Sequence, residues 1–203
     1  GNTKGGTGYT HFGYIFGAKS YSYNENSVPA SLKEVIISDV CTSIGNNAFY
    51  YCSSLTSINI PDSVTSIGGY AFYNCSSLTS ITIPDSVTSI GGGAFSDCTS
   101  LASVTIGNSV TSIGRYAFSD CRSLTSIVIP DSVTSIGDYA FECCYSLASV
   151  TIGNSVTSIG YYAFSYCSSL TNVYYTGTIE DWCNISFTGY YSTPMCYAKH
   201  FYM

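Results

Sequence analysis

The sequence predicts a repeat solenoid: a right-handed coil of parallel short strands joined by short helical or 3-10 turns, about seven rungs with a cap at either end. Two observations carry that prediction. Phe recurs at 49, 72, 95, 118, 141 and 164, a constant step of 23 residues, each preceded by Ala and followed three residues later by Cys. Leu32, Leu55, Leu78, Leu101, Leu124, Leu147 and Leu170 keep the same step. Self-similarity at a fixed period marks stacked supersecondary units, none of which can bury its apolar face alone.

The rung opened by Leu124 shows the expected elements in order. Leu124, Ile127 and Ile129 point inward from a first strand, and Val133 and Ile136 from a second. Pro130, like Pro61 and Pro84, has no N–H for a strand ladder and so ends the first strand at a corner. The Asp that follows (Asp62, Asp85, Asp131) is expected to close the turn on its own backbone. In the rungs opened by Leu101 and Leu147 the corner is Gly107-Asn108 or Gly153-Asn154, and their shared Leu-Ala-Ser-Val-Thr-Ile-Gly-Asn hints at duplication of a double unit. The Gly four residues before each Phe (Gly45 to Gly160) supplies positive φ or close backbone approach. Ala, Phe and Cys then share the inner face of one helical or 3-10 turn. Parallel strands about 4.8 Å apart give a stack of roughly 30 Å. Phe rings at that spacing fall near the lower end of the favourable range of about 4.5–7 Å. Right-handedness follows from the strong preference of parallel crossovers.

Composition narrows the function. Charged residues make up 9% of the chain, against about 25% in an average domain. Its surface must therefore be mostly Ser, Thr, Tyr, Asn and Gly. Net charge is −6, and the six basic residues are scattered from Lys4 to Lys199. Nucleic-acid binding needs clustered Lys and Arg to displace counterions from phosphate, so that class is excluded, and an anionic membrane surface is disfavoured. No apolar run is long enough to span a bilayer. Gly1-Asn2-Thr3-Lys4 opens without Met or a following apolar segment, as in a mature protein or an excised fragment.

The unit L-T-S-I-x-I-P-D-S-V-T-S-I-G-x-x-A-F-x-x-C-x-S resembles the BspA-like leucine-rich repeats of bacterial surface proteins, also abundant in a parasitic protist. The match runs over residues 32–175, and seven rungs keep register without an insertion. Thr10 to Ala18 through Val28-Pro-Ala-Ser-Leu32 is similar to the N-terminal caps of such arrays, and Val173 through Trp182 to Ile185 to their C-terminal caps. The resulting organisation is a cap over residues 1–31, the array over 32–175, and a C-terminal cap over 176–203, whole or truncated. The resemblance implies a secreted or surface-attached module, without chemistry of its own, that adheres to protein or glycan partners. A second reading makes the array the targeting part of a larger extracellular hydrolase. A monomer is expected.

Ten cysteines invite a metal or disulfide reading. Six of them, Cys52 to Cys167, form a file with parallel Cβ vectors, which suits neither a bridge nor a tetrahedral site. Buried thiols acting as small apolar filler are expected instead, with Cys41 another core filler. Cys143 takes the position of Asp97 and Asp120 and is expected to be the one accessible thiol in the array. Cys183 and Cys196 either bridge or pack into the C-terminal cap. No catalytic, cofactor or metal residues are assigned. His11 and His200 sit near opposite ends of the chain, and a Cys196–His200 dyad has no third group. Glu180-Asp181 reads as a solvated turn, and Asn74-Cys-Ser and Asn184-Ile-Ser match a glycosylation sequon that carries little weight here. The column Asp39, Asp62, Asp85, Asn108, Asp131, Asn154 offers one carboxylate per rung at most, too few for calcium.

The outward residues of the first strand are the third and fifth of each rung. They form paired columns: Ser57 and Asn59, Ser80 and Thr82, Ser103 and Thr105, Ser126 and Val128, Ser149 and Thr151, Asn172 and Tyr174. This hydroxyl sheet is the candidate binding surface, and otherwise merely a way to solubilise a strand. Its curvature and Val128 argue against an ice-binding array. Tyr70, Tyr73, Tyr116, Tyr139, Tyr162 and Tyr166 lie around the Ala-Phe turns, and either contact a partner or shield the Phe column.

Overall fold

The computed structural model describes residues 24–189 and 191–203. Each rung from that opened by Leu55 onward to that opened by Leu147 contributes one strand to each of two faces, while the rung opened by Leu32 reaches the second face only through a bridge from Ile44 to Ile67. First-face strands are β1 (Glu34–Ile36), β2 (Ser57–Asn59), β4 (Ser80–Thr82), β6 (Ser103–Thr105), β8 (Ser126–Ile129), β10 (Ser149–Ile152), β12 (Asn172–Tyr175) and β14 (His200–Tyr202). The two-residue strands β3 (Ser66–Ile67), β5 (Ser89–Ile90), β7 (Ser112–Ile113), β9 (Ser135–Ile136), β11 (Ser158–Ile159) and β13 (Ser186–Phe187) form one continuous six-stranded sheet on the second face. On the first face the ladder is split into β1–β2, β4–β6 and β8–β10–β12–β14. All pairs are parallel, and those between rungs of the array are offset by one repeat, as in Val150 opposite Ile127 and Val173. The chain is a parallel solenoid of about six turns. Leu170 opens a further turn that passes into the C-terminal segment.

The core is one column-ordered cluster. Phe72, Phe95, Phe118, Phe141 and Phe164 are all fully buried, as are Leu78, Leu101, Leu124 and Leu147. The six Phe rings stack with centroids 5.1–5.5 Å apart and planes within 3–12° of parallel. This lies inside the range expected from the period, a little above the strand spacing.

The Ala-Phe segments are not helical turns. Their N–H groups alternate between two uses. Ala48, Tyr50 and Cys52 donate to carbonyls three residues back (Gly45, Asn47, Phe49), whereas Asn47, Phe49 and Tyr51 donate to Gly69, Ala71 and Tyr73 of the next rung. Since every second donor is spent between rungs, no run of consecutive intrasegment bonds builds a helix. The alternation also sets the backbone. Two columns take φ between 53° and 62°: Asn47, Tyr70, Gly93, Tyr116, Tyr139 and Tyr162, then Tyr51, Asn74, Asp97, Asp120, Cys143 and Tyr166. From Gly68 onward the glycines that precede them serve close approach rather than positive φ, whereas Gly45, in the first rung, meets nothing. A Cβ on Gly91 would lie 2.5 Å from the Gly69 nitrogen of the rung below.

The Asx corners also differ from expectation. Asp85 and Asp131 do not close turns on their own backbone; each Oδ1 accepts the N–H of the Asn one rung later, Asn108 at 2.7 Å and Asn154 at 2.9 Å. Those are the two rungs where Gly-Asn replaces Pro-Asp.

The ends are built differently. Residues 1–23 of the expected N-terminal cap lie outside the described residues. From Asn24 the chain forms a short helix, α1 (Asn24–Ser27), and Val28 packs against the core. The first rung is poorly covered, with Ile36 and Val40 at 75% and 85% exposure. Cys41 is exposed there too, so it is not the core filler that its alignment with Val64 suggests. At the other end, helix α2 (Ile179–Cys183) starts in a capping box between Thr178 and Asp181, which gives the Glu180-Asp181 pair a structural role. β13 and β14 then extend both faces, and Trp182, Phe187, Tyr197 and Phe201 pack against the last rung.

Candidate binding surface

The hydroxyl groups divide into two populations. At the corners they are consumed by the fold: Thr65, Thr88, Thr111, Thr134 and Thr157 each donate from Oγ1 to the Thr carbonyl of the rung before, at 3.1–3.3 Å. Ser63, Ser86 and Ser132 do the same to Cys41, Val64 and Val110, at 2.7 Å each. On the first face, by contrast, the side chains of Ser57, Asn59, Ser80, Thr82, Ser103, Thr105, Ser126, Ser149 and Thr151 make no hydrogen bond to other described residues, while Asn172 bonds only Thr171. Their donors and acceptors face solvent.

The register places the predicted columns side by side. Ser80 lies opposite Ser103 and Thr82 opposite Thr105; Ser126, Ser149 and Asn172 form one file, Val128, Thr151 and Tyr174 the other. The face is less uniform than the sequence suggests. Ser57, Asn59, Ser80, Thr82, Ser103, Thr105 and Ser126 are exposed, but Ser149, Thr151 and Asn172 are half-buried. Towards the C-terminus the face turns apolar, through Val128 (60% exposed) and the stacked pair Tyr174 and Tyr202, 4.7 Å apart. Both columns run past the predicted residues: Glu34 and Ile36 continue them in the first rung, His200 and Tyr202 in the last. Glu34 and Ile36 obey the third-and-fifth rule and were open to sequence reasoning. His200 and Tyr202 lie beyond the repeat and carried no such signal.

A groove of about 570 Å³ crosses the first four rungs. The outward side chains of Glu34, Ser57, Asn59, Ser80, Thr82 and Thr105 line it along the strands, and Asp62, Asp85 and Asn108 at the corners. Ser126, Val128, Ser149, Thr151, Asn172 and Tyr174 lie outside it.

The turn side carries aromatic columns. Tyr116, Tyr139, Tyr162 and Tyr191 stack with centroids 4.7, 5.5 and 5.7 Å apart, and the Arg115 guanidinium lies 4.8 Å from the Tyr116 ring centre. Because the rings face one another, they present edges rather than faces to solvent. The column breaks at Gly93, where the Tyr70 ring occupies the space of the missing side chain.

All ten cysteines are free. The six ladder thiols are buried, and from Cys75 onward each Sγ donates to the carbonyl of the Phe one rung earlier, as Cys98 does to Phe72 at 3.2 Å. Burial pushes the Cys98 thiol up to about 12 from its ordinary 9.0, so it is inert as a nucleophile. Cys143 is half-buried and its thiol is raised chiefly by desolvation, whereas Cys41, Cys183 and Cys196 are exposed. The accessible thiols are thus these three rather than Cys143, and Cys183 and Cys196 neither bridge nor pack inside the cap. Cys196 and His200 are both exposed and share no hydrogen bond. Among the described residues no helix is long and apolar enough to cross a membrane.

Parallel rungs, an L-x-x-I-x-I strand with an open outward face and an interior of stacked columns define a leucine-rich-repeat solenoid. The BspA type leucine rich repeat region matches residues 21–114 and 95–193 in six copies, and the chain belongs to that family. A leucine rich cell surface protein from Faecalibacterium prausnitzii is 26% identical, over 82% of this chain and 65% of its own, with a TM-score of 0.57. The T. pallidum leucine rich repeat protein is 34% identical, over 70% of this chain and 64% of its own, with a TM-score of 0.54. A leucine-rich repeat protein from Eubacterium ventriosum is 30% identical, over 70% of this chain and 38% of its own, with a TM-score of 0.66. The chain therefore spans less than two thirds of each of these proteins. No curated protein matches it.

Proposed function

We propose that the chain is a non-catalytic binding module at the cell surface, and that its first-face strands contact a protein or glycan partner. The contrast between the two hydroxyl populations supports this reading. Corner hydroxyls are spent on neighbouring carbonyls, while those of β2, β4, β6 and β8 are exposed and without partners in the described chain. Polar groups left open on a rigid sheet bind with little backbone ordering cost, because their backbone is already held. The turn side is the poorer surface, since its tyrosine faces are occupied by one another. The surface location rests on the F. prausnitzii protein, which is described as a cell surface protein.

A screen of immobilised matrix proteins and glycans tests the reading. At least one ligand should bind, and the double variant Ser80→Arg/Thr105→Arg should weaken it tenfold or more while its circular dichroism stays unchanged. Tyr116→Ala on the turn side should leave binding intact. Loss of binding in the turn-side variant alone would place the surface on the other side of the molecule.

A further inference from the structure

The strand face is not electrically neutral along its length. The groove of about 570 Å³ includes Glu34, Asp62 and Asp85 in its lining. A second hollow of about 500 Å³ shares Asn59 and Asp62 with it and adds Asp39. No Lys, Arg or His lines either hollow among the described residues. Asp62 has no hydrogen-bonded partner in the described chain, and Asp85 spends one oxygen on the Asn108 N–H. Asp131, the same corner two rungs on from Asp85, lies outside the groove and differs. Thr176 Oγ1 at 2.6 Å and the Asn154 N–H at 2.9 Å occupy its Oδ1 and hold its carboxyl below the usual range. The groove also lacks any aromatic side chain; the exposed Tyr174 and Tyr202 lie at the other end of the face.

We infer that this groove takes a basic, extended segment of a partner protein, with Lys or Arg side chains at the Asp62–Asp85 ledge and the remaining polar contacts made by Ser80, Thr82 and Thr105. The inference rests on the strand-face reading above and specifies its partner. Charge complementarity selects the occupant. A cationic segment finds carboxylates and open hydroxyls with no competing cation, and a net charge of −6 on the whole chain favours its approach. An anionic ligand meets three carboxylates and no cation there, and a glycan finds no ring to stack on.

Fluorescence anisotropy with three probes tests it on the full chain: an octapeptide alternating Lys and Ser, its Glu–Ser counterpart, and a labelled neutral cello-oligosaccharide. The Lys–Ser peptide should bind at least tenfold more tightly than either of the others, and its binding should weaken as salt is raised. Asp62→Asn/Asp85→Asn, which keeps an acceptor for the Asn108 N–H, should weaken it about tenfold, while Asp138→Asn should not. Equal binding of the two peptides, no binding of the Lys–Ser peptide, or binding indifferent to the Asp62/Asp85 change overturns the inference. A ligand lost on Ser80→Arg/Thr105→Arg but unaffected by Asp62→Asn/Asp85→Asn overturns this inference and leaves the strand-face reading standing.

Discussion

The Asp85 carboxylate accepts the backbone N–H of Asn108 across 2.7 Å, and the residue before that Asn, Gly107, lies so close to Pro84 that a Cβ would sit 2.4 Å from the Pro84 oxygen. The Pro-Asp and Gly-Asn corners therefore interlock, with Pro lacking a donor and the Asn above supplying one. Gly107→Ala should destabilise by about 1–3 kcal/mol, the range for overpacking. Gly45→Ala, where nothing lies within 4 Å, should change stability by less than about 0.5 kcal/mol. Chemical denaturation of the pair measures the difference, and equal effects would show that the corners do not interlock.

Phe118 sits in the middle of the ring stack, fully buried, between Phe95 at 5.3 Å and Phe141 at 5.5 Å. Phe118→Ala should cost about 3–5 kcal/mol in equilibrium unfolding, as emptying a buried aromatic site does. A loss below about 1 kcal/mol is incompatible with a core position.

Thiol labelling of native protein should follow exposure. Cys41, Cys183 and Cys196 should react first and Cys143 more slowly, while Cys52, Cys75, Cys98, Cys121, Cys144 and Cys167 should react only on unfolding. Fast reaction at the ladder positions would mean that the core is open.

The same ladder predicts alkaline sensitivity. Burial raises Cys52, Cys98 and Cys167 from 9.0 to about 12, and Cys75, Cys121 and Cys144 well above 9.0. Above pH 9 the unfolded chain loses these protons and the folded chain keeps them, so the unfolded state binds fewer protons and stability falls with rising pH. The contribution is complete below the unfolded value and declines at about 1.4 kcal/mol per thiol per pH unit above it. Thermal unfolding from pH 7 to 10.5 should show a steep fall in Tm, shallower in Cys75→Ala/Cys98→Ala/Cys121→Ala. Parallel pH profiles for the two proteins would rule out a thiol origin.

Spacing made most of the array legible, because side chains that recur every 23 residues share one column in any stack of equal turns. The buried Phe, Leu and Cys columns and the paired strand residues follow from that alone. What escaped was set by contacts between rungs. Ala, Phe and Cys fit one helical face, so the spacing alone predicts a helical turn. The alternate N–H groups of these turns belong to the next rung, a contact that no local pattern encodes. A clue was present: Asn47 and Gly93 share a column with four tyrosines, and Asn and Gly are the residues that tolerate positive φ most readily. Cys41 is exposed although it aligns with buried Val64, because alignment carries no information about how well the first rung is covered. The groove was invisible for a similar reason. Glu34, Asp62 and Asp85 are far apart in sequence and become one surface only when the rungs are stacked.

Interchangeable rungs sharing one interior are the core of this account, and removal of a single rung tests it most directly. Deletion of residues 101–123 takes out one repeat and makes the Pro84 and Pro130 corners successive, as the Pro61 and Pro84 corners already are. The shortened chain should fold cooperatively, keep a strand-rich circular dichroism spectrum, and be shorter by about 4.8 Å along the stack in small-angle scattering. An unfolded chain, or one whose length does not change, would contradict the stacked-rung structure.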